Sequence, residues 1–340
     1  MLKKANMKRL KKQLGGNLKW EELFNRYTFI NEIGRGGFGI THLVYDNLDK
    51  KQQVAKVATI NEENYYTYKV ELDNLIEIYK NTCRNDLVCI RNYYTEILDD
   101  KTRKLVIILD KVEGIELFKL INMIKSNKIT LQVEDYFYIF KNLLKSIDYL
   151  HNKLNMAHMD IKPENIMINP ITFNTTIIDV GLSCKEIFCN PGGTATYISK
   201  NVLKNFETGS RFSKDTAKRN DIYSMGIIFL EMLNLLDLDE FIIESKSKKT
   251  FVEKGYYFND IIQNLINFIE IDTKKYMDKK DFQPLVDVIN LSVIMVKKNL
   301  LIDSIMVIFN TIEKRNSEMV KSTRTSLENF FNKELPKENQ

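Results

Sequence analysis

The chain has 340 residues, 44% hydrophobic and 28% charged, with a net charge of +5. That length can bury a sizeable core, and the composition excludes wholesale disorder. Residues 1–26 carry eight Lys or Arg against Glu21 and Glu22, a net +6; the other 314 residues sum to −1, so the folded body is not built to bind nucleic acid.

The leader, 1–26, sets Leu2, Met7, Leu10 and Leu14 among lysines, and Gly15-Gly16 ends that short amphipathic stretch. Its apolar face is small. A flexible, solvated tail is expected, with basic side chains offered to acidic surfaces. The leader lacks the apolar core of a signal peptide, and no apolar run reaches membrane-spanning length. A soluble intracellular protein, cytoplasmic or nuclear, is the expectation. The cysteines 83, 89, 184 and 189 show no zinc-knuckle spacing, and three histidines add little, so they read as free thiols.

From Tyr27 the texture is strand-like. Phe29, Ile30 and Ile33 lead into glycines, and Leu43, Val44 and Tyr45 follow them. Asp46–Asp49 reads as a hairpin turn and Gln53–Ala58 as the return strand. Residues 62–80 have helical spacing. Leu87–Leu98 and Lys104–Leu109 read as two more strands. After Gly114 the pattern turns helical, most clearly over 134–152 and 221–236, while the polar stretch 204–219 reads as a surface loop. A small sheet followed by a helical body is an α+β, two-lobe order.

Ile33-Gly34-Arg35-Gly36-Gly37-Phe38-Gly39 contains Gly-x-Gly-x-x-Gly. A dinucleotide fingerprint of that spelling must open a helix. Here the strand-like Ile40-Thr41-His42-Leu43-Val44-Tyr45 follows instead. A glycine hairpin lets main-chain amides close over phosphates. Lys56 ends the apolar Val54-Ala55-Lys56, where an ammonium needs either solvent or a partner. Glu71, on the following helix with Leu75 one turn later, is the best partner, and Glu77 is a weaker one.

Further on stands His158-Met159-Asp160-Ile161-Lys162-Pro163-Glu164-Asn165, and fourteen residues after Asn165 comes Asp179-Val180-Gly181. Asp160 can take a hydroxyl proton, Lys162 can neutralise phosphate charge, and Asn165 and Asp179 can hold magnesium. In order and spacing these segments resemble the glycine loop, catalytic loop and metal loop of eukaryotic protein kinases. Gly193-Thr194-Ala195-Thr196-Tyr197-Ile198-Ser199 resembles the end of an activation segment, and Asp221–Gly226 the start of the central helix.

The resemblance covers about residues 27–312 and implies a bilobal α+β fold. It places the sheet lobe at about 27–110, the helical lobe at about 114–312, and a polar tail at 313–340. It implies ATP and Mg2+ as cofactors and protein substrates as partners, with serine or threonine as acceptor because of Lys162 and Thr194. Asp160, Lys162, Lys56, Glu71 and Thr194 become the catalytic set, with Thr194 bonded to Asp160 and Lys162. Nucleotide binding is implied for Ile33, Gly34, Arg35, Gly36, Gly37, Phe38, Gly39, Thr41, Val54 and Lys56. It extends to Leu109 as gatekeeper, to Asp110, Lys111 and Val112 at the hinge, and to Glu116 and Met167. Asp221 is expected to bind main-chain amides of the catalytic loop.

The chain departs from the family pattern in places. Met159 replaces the arginine that pairs with a loop phosphate, which implies activity without loop phosphorylation. Val180 replaces a phenylalanine, and Thr41 a valine. Ser199-Lys200-Asn201 stands where Ala-Pro-Glu is usual, and the arginine partner of that glutamate is missing from 282–310. These departures keep a second reading open, a pseudokinase scaffold that binds nucleotide or partners without efficient transfer.

Overall fold

The computed structural model describes residues 20–36, 39–81, 83, 86–98, 101–238, 248, 250–273 and 283–317. The expectations for the leader up to residue 19, for Gly37 and Phe38, and for the tail beyond 317 lie outside the described residues. Two compact units divide the chain. The first holds the residues up to Val112 with Asp179–Gly181, and the second holds Glu113–Ile178 and the rest.

The first unit opens on α1 (Trp20–Arg26) and continues through β1 (Tyr27–Gly36), β2 (Gly39–Asp46), β3 (Lys51–Ile60), α2 (Tyr65–Lys80), β4 (Ile90–Ile97) and β5 (Arg103–Asp110). The strands form one antiparallel sheet in the order β1-β2-β3-β5-β4. Side chains alternate across it. Ala55 and Ile108 pack with Val44, Tyr94, Val106, Tyr27 and Leu23 on one face. Lys56, opposite Thr41 and Ile107 in the neighbouring strands, therefore points to the other face.

Helix α1 corrects the expectation of a free leader. Leu23 is fully buried in that cluster, a placement worth about 1.5–3 kcal/mol. Arg26 forks over the buried Asp46, with its Nε and Nη2 donating at 2.8 to 3.2 Å. Asp46 also accepts from the amides of Leu48 and Asp49, so the β2–β3 turn and α1 share one anchor.

The second unit begins with β6 (Ile115–Glu116), α3 (Leu117–Lys125), α4 (Val133–Asp148) and a π-helical turn at Tyr149–Lys153. Next come β7 (Ile166–Ile168), β8 (Thr175–Ile177), β9 (Phe188–Cys189), α5 (Lys200–Thr208) and β10 (Phe212–Ser213). Helices α6 (Lys214–Met232), α7 (Phe251–Thr273), α8 (Gln283–Lys297) and α9 (Ile302–Arg315) complete it. The order β6-β7-β8 makes one small sheet, and β9 pairs with β10. Helix α6 is buried along most of its length. Phe229 stacks on Phe140 of α4, and Gly226 lies so close to Met295 and Val296 of α8 that a Cβ would sit 2.8–3.0 Å from them. The architecture is α+β.

Residues 204–219 are not a loop. They are the end of α5, the strand β10 and the first turns of α6. The Ser213 hydroxyl accepts from the Thr216 amide at 3.1 Å and caps α6, and the buried Lys218 donates to the His151 carbonyl at 2.6 Å. Ser213 and Lys218 there serve helix start and packing, while Lys204, Glu207, Ser210 and Arg211 face solvent.

The cysteines are not free either. Cys83 is joined to Cys89 and Cys184 to Cys189, with Cα atoms 5.7 and 5.8 Å apart. The chain bends that bring each pair together leave no spacing motif in the sequence.

Candidate active site

In the first unit the lysine of β3 finds its partner. Lys56 Nζ donates to Glu71 Oε1 at 2.5 Å and lies 3.9 Å from Asp179 Oδ2. Burial alone would lower the Lys56 pKa, but Glu71 and Asp179 outweigh it and the ammonium is held above its ordinary value. Burial pushes the Glu71 carboxyl up, and Lys56 offsets only part of that push. Glu77 sits instead beside Lys80 and Asn81.

The metal-loop residues are held against the same helix. Asn74 of α2, itself buried, donates its side-chain amide to the Val180 carbonyl at 3.1 Å. The Gly181 amide donates to Asp179 Oδ1 at 2.8 Å. Asp179 thus presents carboxylate oxygens beside a cation, a hard donor set that suits magnesium.

The glycine hairpin closes as Gly36 pairs with Gly39. Gly39 has a φ of +107°, and a side chain there would run into the Val57 carbonyl. Arg35 is engaged with Glu32 at the exposed surface. Gly34 pairs with Thr41, Val54 with Leu109, and Ile33 is half exposed on β1. At the expected hinge, the Asp110 carboxylate is committed to a bidentate Arg91 fork and lies 3.5 Å from Lys51. The side chain is thus engaged within the unit, and the main chain of Asp110 is what the expected hinge offers. Val112 is the last residue of the unit before the break.

In the second unit the loop 158–165 is built on Asp221. Its carboxylate, fully buried, accepts from the main-chain amides of His158 at 2.6 Å and Met159 at 2.8 Å, and pairs with His151 Nε2 at 2.8 Å. Those bonds hold Met159 at a φ of +71°, which few residues adopt without compensation. Asn165 donates its amide to the Asp160 carbonyl at 2.8 Å and to Asp160 Oδ2 at 3.1 Å, leaving its oxygen as the acceptor. Thr194 donates its hydroxyl to Asp160 Oδ1 at 2.7 Å, and Lys162 Nζ reaches both Thr194 Oγ1 and Asp160 Oδ2 at 3.1 Å. Met167 pairs with Glu116 between β7 and β6, and Glu116 is exposed at the start of α3.

Met159 lies in an apolar cluster with Ala157, Cys189, Ile198, Val202, Leu203, Phe212 and Ala217. Ser183 is buried with its hydroxyl toward the His158 carbonyl. Sequence reasoning missed two contributors, Asn74 and His151. A polar residue on an otherwise apolar helix face was the only signal for either.

A family model described as "Protein kinase domain" matches residues 27–289. Among curated relatives, a probable myosin light chain kinase of Dictyostelium discoideum is 28% identical over 207 residues, 59% of this chain and 61% of that protein. A putative serine/threonine-protein kinase of Mycoplasma genitalium is 26% identical over 242 residues, 62% of each chain. The human dual specificity tyrosine-phosphorylation-regulated kinase 3 is 30% identical over 216 residues, 63% of this chain and 34% of that one. The chain therefore spans about three fifths or less of these relatives.

Proposed function

Because the chain belongs to the protein kinase family, we propose that it is a serine/threonine protein kinase that moves the γ-phosphoryl group of ATP to a protein hydroxyl. One observation carries the reading. The Asp160 carboxylate is oriented by three neighbours, Thr194, Asn165 and Lys162, on a loop that Asp221 fixes. A base must be aimed before it is useful, and each charge-assisted bond contributes about 1.5–3 kcal/mol.

Asp160 accepts the proton of the acceptor hydroxyl as its oxygen attacks the γ-phosphorus. The bond from phosphorus to the bridging oxygen breaks, and ADP leaves with that electron pair. Lys162 neutralises charge on the moving group, and Lys56, kept in place by Glu71, does so on the remaining phosphates. Asn165 and Asp179 are the oxygen donors that would hold magnesium, which would supply charge neutralisation at the phosphates. Adenine contact is assigned to Ile33, Val54 and Met167, with Leu109 as gatekeeper, and the glycines 34–39 are assigned to the phosphates. Protein substrates are the expected partners, and residues 27–312 the working domain.

The test is transfer of labelled phosphate from ATP and magnesium to a mixed protein substrate, beside Asp160→Asn and Lys56→Met. Phosphoserine or phosphothreonine from the wild type alone supports the reading. Nucleotide binding without transfer by the wild type overturns it in favour of a scaffold.

A further inference from the structure

Residues 182–199 run from the metal loop to the start of α5 and carry Thr194, the residue that touches both Asp160 and Lys162. Two backbone pairings hold this segment. Cys184 and Ala157 exchange main-chain bonds at 2.8 and 2.9 Å, immediately before the catalytic loop. Cys189 pairs with Phe212 across β9 and β10. The disulfide joins these two anchored residues and closes the turn 185–188 between them.

The two sulfurs sit in different surroundings. Cys189 is 1% exposed and packs in the cluster that holds Met159, the neighbour of Asp160. Cys184 lies at the edge of that cluster, only partly buried, where a small reagent can reach it. The turn is solvent-facing, with Ile187 at 75% and Phe188 at 53% exposure. Basic side chains hold it in place. Lys214 donates to the Lys185 carbonyl, and Arg211 binds both Glu186 and the Phe188 carbonyl. A reachable sulfur backed by a buried one is the arrangement of an exchangeable pair.

We propose that Cys184 and Cys189 form a thiol–disulfide modification site that sets the hold of this segment on the catalytic loop, exchanging with glutathione-type thiols and disulfides. The proposal rests on the kinase reading and adds a mode of control to it. In closure, the Cys184 thiolate attacks the small disulfide, forming a mixed disulfide and releasing one small thiol. The Cys189 thiolate then attacks the Cys184 sulfur and expels the second. Two cysteine thiols lose two electrons in all, and one small disulfide becomes two thiols. Reduction runs the same steps backwards. In the open form the turn 185–188 loses its covalent tie and keeps only the Lys214 and Arg211 contacts and the flanking main-chain bonds. The Cys189 corner of the Met159 cluster loosens, and with it the approach of Gly193 to the Met159 carbonyl that seats Thr194.

The experiment uses the full chain equilibrated in graded mixtures of reduced and oxidised glutathione. Mass spectrometry reads the 184–189 pair, the phosphate assay reads transfer, and hydrogen exchange reads residues 190–199. Wild type and the Cys83→Ser/Cys89→Ser variant should lose activity several-fold on reduction, with the midpoint of the 184–189 mass shift. Cys184→Ser/Cys189→Ser should stay at the reduced level in every mixture. Full reduction of the pair without change in transfer, or a pair that never oxidises, overturns the proposal. If no mixture transfers phosphate, the kinase reading fails on its own. The redox proposal is then judged by exchange at 190–199, which must slow on oxidation in the wild type and not in the double variant.

Discussion

The side-chain amide of Asn74 donates to the carbonyl of Val180 at 3.1 Å, tying the middle residue of the metal loop to helix α2. Leaving that buried carbonyl without a donor should cost about 1–3 kcal/mol. Asn74→Leu is therefore expected to lower the denaturation midpoint and to raise the magnesium concentration needed for half-maximal transfer. Adding Val180→Phe should recover part of the magnesium response through packing alone. An Asn74→Leu variant with an unchanged magnesium response would remove any positioning role from this bond.

Lys56 and Glu71 should behave as a pair. Lys56→Met leaves the buried Glu71 carboxylate alone and is expected to cost about 3–5 kcal/mol. Lys56→Met with Glu71→Leu removes both charges and should be the more stable of the two variants by chemical denaturation. Both should be inactive.

The raised Glu71 pKa predicts an acid limb. As pH falls, Glu71 takes up its proton in the folded chain before the ordinary value of 4.5 is reached, and Lys56 then loses its carboxylate. Transfer should decline on the acid side above pH 4.5, and Glu71→Gln should lack that limb at a lower plateau. The stability term has the opposite sense. A raised carboxyl pKa favours the folded state most below the unfolded value, and the contribution fades as pH rises through the folded one.

Thr194→Val removes a donor from Asp160 and an acceptor from Lys162. The expected fall in kcat is about 10- to 100-fold, with little change in KM for ATP. Thr194→Ser should restore most of it. Equal losses for valine and serine would point to packing instead of the hydroxyl.

The candidate site residues could be singled out because phosphoryl chemistry demands particular side chains at fixed loop spacings, and Lys56, Asp160 and Thr194 stand where those spacings fall. The five strands, the helices over 65–80 and 133–148, and the part of 214–232 beyond residue 220 followed from alternation and periodicity, whereas the sheet order did not. Their ends shifted where capping decided, as at Ser213. Asn74, His151 and the cysteine pairs were not legible. Each depends on what another segment brings beside it, and neither periodicity nor spacing encodes that. Helix α1 escaped notice because seven residues are too few to show a period.

Met159 occupies the apolar cluster in place of a cation, at 5% exposure. Met159→Arg should therefore lower stability by about several kcal/mol, since it sets a guanidinium among apolar side chains. The variant should not gain a response to an acidic residue at Ser183, which is itself buried. Denaturation midpoints and the phosphate assay read the two halves of this expectation.

The family match begins at Tyr27, yet Leu23 and Arg26 lie upstream of it. A polypeptide cut at that boundary keeps the five strands and loses their cover. Val44, Ala55, Val106 and Ile108 would then meet water on one face of a twisted sheet, a surface that associates rather than dissolves. The shortest well-behaved version of the domain should start before Trp20. A recombinant protein begun at Tyr27 is expected to come out of solution while one begun upstream of α1 stays monodisperse.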